Sequence, residues 1–175
     1  MTMAISLFDA SIPNYLQTLD ATGGFLEKAL AHFKASGIDA EEILEFRLAP
    51  DMLPFRYQVQ SVSFHSENAI EAIKSGALHL PGQRPEHDYA GLQAMIAASA
   101  EALRKVTPAE IDSREGAEVV FHVGEAKRVF TAEGFLMSFS LPNLHFHATT
   151  AYDILRLKGA PLGKRDFMGA IRLKG

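Results

Sequence analysis

The chain has no cysteine. That excludes disulfides, thiolate zinc fingers, iron–sulfur clusters and thiol nucleophiles. It also lacks a surplus of positive charge, since 17 Lys plus Arg face 21 Asp plus Glu for a net charge of −4. A broadly nucleic-acid-binding surface would be basic, so nucleic acid is not an expected partner. No long apolar run is present either. The longest stretch free of Asp, Glu, Lys and Arg, Gly134 to Tyr152, holds Pro142, Asn143, two histidines and several hydroxyls. It makes a poor membrane span. The opening residues carry no basic segment ahead of an apolar one, so no signal peptide is expected and the expected compartment is the cytoplasm. A glycine-rich phosphate loop, a Gly-x-Ser-x-Gly elbow and a Glu-x-x-His pair are all missing, which argues against the corresponding nucleotide, hydrolase and di-iron sites.

What is present reads as one helical domain over residues 1–175, of which 47% are hydrophobic. At this length one core is the expectation. Ile5, Phe8, Ile12, Tyr15, Leu19, Leu26, Leu30 and Phe33 recur in steps of three and four, with Thr22 filling the gap. That is the seam of a long helix, kinked or irregular at Pro13 and stopped at Gly37. Asp39 to Phe46 reads as a short helix capped by Asp39. A second long helix runs to about Gly76, with Asp51 as its cap and Pro54 in its first turn, burying Phe55, Val59, Val62, Ala69 and Ile73. A loop with Pro81, Gly82 and Pro85 leads to a third helix, capped by Asp88, in which Tyr89, Leu92, Ile96, Ser99, Leu103 and Val106 again step by three and four.

After Pro108 the period changes. Val119 to Val123, Gly124-Glu125 and Ala126 to Thr131 read as a β-hairpin with a two-residue turn. A fourth helix lies between about Ala132 and Lys158, where Pro142 either bends it or marks its ordered start. The tail from Ala160 reads as coil packed by Phe167 and Met168. The expected fold is mainly α: a four-helix bundle with a small β-hairpin between helices three and four. Arg47 with Asp51 and Arg156 with Asp166 are expected structural ion pairs.

Bundles build sites from inward-facing polar groups on facing helices. At about 100° per residue, Gln58 and His65 fall on the buried side of the second helix, about 10 Å apart along its axis. His147 lies about 60° from the apolar centre of the fourth helix, formed by Leu144, Ala148, Ala151 and Leu155. The His145-Phe146-His147 triplet resembles a metal clip, but in a helix its two imidazoles point about 160° apart. The position that would pair with His147 at i+4 is Ala151. His65 with His147 is therefore the better pair, and each is read either as a core histidine held by hydrogen bonds or as a ligand. His32, His79, His87 and His122 read as solvated surface. Phe64, Phe146 and Leu157 fall opposite the buried faces, a second apolar stripe that a twofold homodimer would cover.

Two segments extend this reading. Leu141-Pro142-Asn143-Leu144-His145-Phe146-His147-Ala148-Thr149-Thr150-Ala151-Tyr152-Asp153-Ile154-Leu155-Arg156, with Gly163-Lys164-Arg165-Asp166-Phe167 after it, resembles a bacterial family of unknown function within the DinB-like superfamily. So does Arg47-Leu48-Ala49-Pro50-Asp51-Met52-Leu53-Pro54 followed by Gln58-Val59. The resemblance implies a DinB-like four-helix bundle, often dimeric. Better-known members bind a divalent metal through a histidine of the second helix and a His-x-x-x-His pair of the fourth, and some activate a low-molecular-weight thiol with it. Carried over, His65 and His147 are two metal ligands, and the third falls on Ala151, which cannot ligate. A weakly held zinc, nickel or iron would then need Gln58 or water to complete its shell. Gln58, His65, His147 and Tyr152 form the candidate ligand pocket. Two functions stay open: a ligand-binding or interaction bundle with a degenerate metal site, and a metal-dependent enzyme related to thiol S-transferases.

Overall fold

The computed structural model describes residues 5–174, and the chain is mainly helical. Helix α1 (Leu7–Ser36) starts where the Ser6 hydroxyl accepts the Asp9 N–H at 3.1 Å, and ends at Gly37 in the left-handed region, φ 70°. It runs unbroken through Pro13. Ile5 precedes the cap, so it leaves the expected seam and is 79% exposed.

After a single 3₁₀ turn at Ala40–Ile43, capped by Asp39 as expected, comes α2 (Phe55–Ser63). A π turn, Phe64–Asn68, joins it to α3 (Ala69–Ser75), so the second rod carries one widened turn near its middle. Asp51 does not cap this rod. Pro54 holds the cap position, and the Phe55 and Arg56 N–H groups donate to the Phe46 and Leu44 carbonyls. Those carbonyls satisfy donors that a capping side chain would otherwise take. Arg47 likewise leaves Asp51 and donates to the Met52 carbonyl at 2.6 Å.

Gly76, at φ 85°, turns the chain out of the rod into β1 (Ala77–His79). Helix α4 (Tyr89–Arg104) begins at the Asp88 cap, and a short α5 (Pro108–Asp112) precedes β2 (Glu118–Val123) and β3 (Ala126–Thr131). The hairpin register is the expected one, Val123 opposite Ala126. It is not alone, however: β1 pairs with β2 in parallel, giving a three-stranded sheet in the order β1-β2-β3. Three residues are too few to show an alternating pattern, which is why this strand escapes a reading by period.

The last rod is α6 (Ala132–Phe135), a second π turn at Leu136–Ser140, and α7 (Leu141–Leu157). Pro142 is the second residue of α7. It has no N–H to give to the turn before it, and that turn is the widened one. A one-turn α8 (Lys164–Met168) replaces the expected coil, and its Asp166 pairs with Lys28 at 2.9 Å rather than with Arg156, which donates to the Ala160 carbonyl.

Helix α1 packs on α4 and α7, and α2 packs on the same two, so the four rods close around one core. Val119 and Phe121 of β2 and Phe130 of β3 form the inner face of the sheet, which meets Phe135 and Phe139; the Phe121 and Phe139 rings lie 4.8 Å apart. Among the described residues no helix is long and apolar enough to cross a membrane.

Candidate functional site

Gln58 organises the polar centre between α2 and α7. Its side chain is 2% exposed. The amide nitrogen donates to the Leu53 carbonyl at 2.7 Å, which turns Oε1 toward Nδ1 of His147, also at 2.7 Å. Because Leu53 offers only an acceptor, the amide orientation is set. Oε1 must then accept, so His147 donates from Nδ1–H. Its Nε2 is left with a free lone pair.

His65 stands on the first π turn and is 8% exposed. Its ring lies 5.5 Å from that of His147, centroid to centroid, and 11° from parallel. Phe64 and Phe139 meet it edge-on at 5.1 and 5.5 Å. The two π turns face each other across this point. Ser140, on the second, donates its hydroxyl proton to the His65 carbonyl at 2.7 Å, so Tyr15 must donate to Ser140 across their 2.6 Å contact. Widened turns leave such carbonyls free for partners outside the helix, and they recur at functional sites.

Both imidazoles are held neutral. Burial pushes His65 down to about 3, with His147 and then Arg84 adding to the effect. Burial followed by the charge of Arg84 pushes His147 down to about 4. Arg84 comes from the loop after β1. Its guanidinium lies 4.0 Å above the centre of the Tyr57 ring and donates to the Ser61 hydroxyl at 3.2 Å. Tyr57 in turn meets His147 edge-on at 6.1 Å. The same loop covers Phe64, which is buried rather than part of an exposed stripe.

The structure thus brings together Gln58, His65 and His147 of the four candidate pocket residues. Tyr152 is elsewhere. Its ring packs between Phe25 of α1 and Phe167 of α8, at 6.0 and 5.7 Å, and secures the tail. His145 faces outward, as the helical angle requires. Of the histidines read as surface, His79 and His122 stack on each other at 4.3 Å, because the register of β1 and β2 sets them opposite. Tyr57, Arg84, Phe139 and Ser140 belong to the site but carry no sequence signal, since loop docking and helix pairing bring them there.

A resident divalent ion does not suit this donor set. Two imidazoles sharing one ion with bonds near 2.1 Å hold their centroids within about 6.5 Å, a span these rings meet. The remaining ligands are the difficulty. Ala151 is fully buried and offers no donor, and Gln58 Oε1 is committed to His147. Among the described residues no group of three or more His, Cys, Asp or Glu could hold a metal ion. Arg84 adds a positive charge that both histidines already sense.

Residues 7–168 match the family described as a domain of unknown function, DUF1993. A crystal structure of a DinB family member protein from Shewanella denitrificans is 26% identical and superimposes with a TM-score of 0.79, covering 97% of this chain and 95% of that one. No curated protein matches the chain.

Proposed function

This chain belongs to the DUF1993 family, and we propose that it is a non-catalytic, small-molecule-binding bundle of DinB-like form with a degenerate metal site. The observation that carries this reading is the Gln58–His147 hydrogen bond. It fixes His147 as a neutral acceptor at Nε2, ready to receive a hydroxyl or amide proton from a ligand. Bases tuned for proton transfer titrate near the working pH. At about 3 and 4, His65 and His147 bind hydrogen-bond donors and make weak bases.

A second reading, a metal-dependent enzyme related to the thiol S-transferases, draws support from the 5.5 Å separation of the two rings. Metal analysis decides between them. After dialysis of untagged protein against zinc or nickel and then buffer, well under one equivalent per chain is expected to remain. One equivalent that disappears in both His65→Ala and His147→Ala would favour the enzyme.

The proposal includes a second copy as partner. Phe146 and Leu157, eleven residues and about three turns apart on α7, share one face and are 55% and 65% exposed. Light scattering at micromolar concentration is expected to give twice the 19.1 kDa chain mass. A monomer that Phe146→Ser leaves unchanged would remove the dimer from the proposal.

A further inference from the structure

Two cavities meet at Arg84. One, of about 420 Å³, lies among Tyr57, Gln60, Leu80, Pro81, Arg84 and Pro85, and a second, of about 190 Å³, shares Gln60, Pro81, Arg84 and Pro85 with it. The larger falls within the size range of small-molecule sites. The groove is built rather than incidental, because Gln60, itself buried, donates to the Pro85 carbonyl at 2.7 Å and ties the loop to α2.

Among the described residues Arg84 has no ion-pair partner. A guanidinium has five N–H donors in a planar fork, and one of these goes to Ser61. Partial burial already strains the charge, pulling its pKa down. A half-buried cation with donors to spare, above an aromatic face and beside apolar walls, lacks one thing: an anion.

The other charges of the wall narrow its class. Arg56 is paired with Glu45, and Glu86 adds a further negative group. With Arg56 and Glu45 satisfied by each other, a dianionic phosphate would bring two negative charges to one unpaired guanidinium, Arg84, with the Glu86 carboxylate also on the wall. A single carboxylate fits the planar fork of Arg84 and adds the least negative charge beside Glu86.

We propose that this groove binds a small organic monocarboxylate, its carboxylate on Arg84 and its apolar body against Leu80, Pro81 and Pro85. The inference rests on the small-molecule reading above and names the ligand's acid group, which is separate from the hydroxyl or amide that His147 would receive. Tyr57 touches both Arg84 and His147, so the groove and the histidine niche share a wall.

The test is an NMR titration of the full chain with benzoate, its neutral counterpart benzamide, and inorganic phosphate. Benzoate is expected to give saturable shifts at Tyr57, Gln60 and Arg84, while benzamide binds about tenfold more weakly or worse and phosphate shows no saturation. Arg84→Gln is expected to weaken benzoate about tenfold or more with its urea midpoint near that of the parent. Arg84→Lys, which keeps the charge and loses the fork, should fall between the two and serves if the glutamine variant does not fold. Equal binding of benzamide, tighter binding of phosphate, or full benzoate affinity in the folded Arg84 variants would overturn the proposal. Saturable shifts confined to Gln58 and His147 would overturn the Arg84 assignment and leave the small-molecule reading standing. No saturable shift at any residue would overturn the carboxylate groove, and the broader reading would then be judged on the metal measurement.

Discussion

Acidification from pH 7 to pH 5 is expected to destabilise this protein by about 4 kcal/mol, through two buried histidines that fold in the neutral form. The sign follows from where each state takes up protons. In the unfolded chain both side chains titrate near the ordinary histidine value of about 6.5. In the folded chain His65 is pushed down to about 3 and His147 to about 4, chiefly by burial. Their neutral forms support the fold fully above the unfolded value, and that support is lost as pH falls from there toward the folded values. At pH 5 the unfolded state has gained both protons and the folded state neither, at about 2 kcal/mol for each histidine. Urea midpoints at the two pH values measure the loss. In His147→Gln, which cannot titrate, the drop should shrink by about half. An undiminished drop in that variant would show that the acid sensitivity lies elsewhere.

Replacing Gln58 with leucine is expected to cost about 2–4 kcal/mol, although it removes a neutral side chain and keeps its bulk. The reason is what remains behind. The Leu53 carbonyl loses the amide that donates to it, and the Nδ1–H of His147 loses its acceptor, both in the partly dry space between α2 and α7. An orphaned buried polar group costs more than the net worth of the bond it made. Gln58→Glu separates the two effects. A carboxylate still accepts from His147 but cannot donate to Leu53, and its charge favours protonated imidazole. Nitrogen NMR of the His147 ring should therefore show the Nδ1–H tautomer in the parent and a titration moved to higher pH in Gln58→Glu. If Gln58→Leu is as stable as the parent, the amide is not what holds this histidine.

These outcomes bear on what the niche is for. A histidine clamped through one nitrogen and free at the other is how metal ligands are commonly oriented. Here the clamp and a second imidazole are present, but among the described residues no further ligand group completes a shell, with alanine at 151 and a guanidinium nearby. The same clamp serves equally to aim a hydrogen-bond acceptor. The π turns that carry His65 and Ser140, locked by the Tyr15–Ser140–His65 relay, give that acceptor a rigid setting.

Local rules reach a turn or two along the chain, and what depends on them was legible in the residues alone. The three-and-four spacing from Phe8 to Phe33, the caps at Asp39 and Asp88, the Gly124-Glu125 turn and the stop at Gly37 each act within that reach. So does the inward aim of Gln58 and His65, seven residues and two helical turns apart, and the outward aim of His145. The lack of cysteine settled the question of thiol chemistry on this chain without any structure.

Tertiary packing decided the rest. Asp51, Arg47 and Asp166 are all placed to make the bonds expected of them, yet the carbonyls of Phe46, Leu44 and Met52 and the ammonium of Lys28 arrive first, from positions that no local pattern reports. Arg84 stands in a loop whose sequence indicates only turns, and it becomes the dominant charge of the site because Gln60 holds that loop against α2. Tyr152 shares a helix with His147, but the tail draws its ring away. Periodicity is a property of one helix, so the residues alone disclosed the inward faces of the rods, but not the burial of Phe64 under the Arg84 loop. Which of the inward side chains meet, and which charge sits beside them, depended on how separate segments dock, and docking follows from summed long-range burial that no single segment encodes.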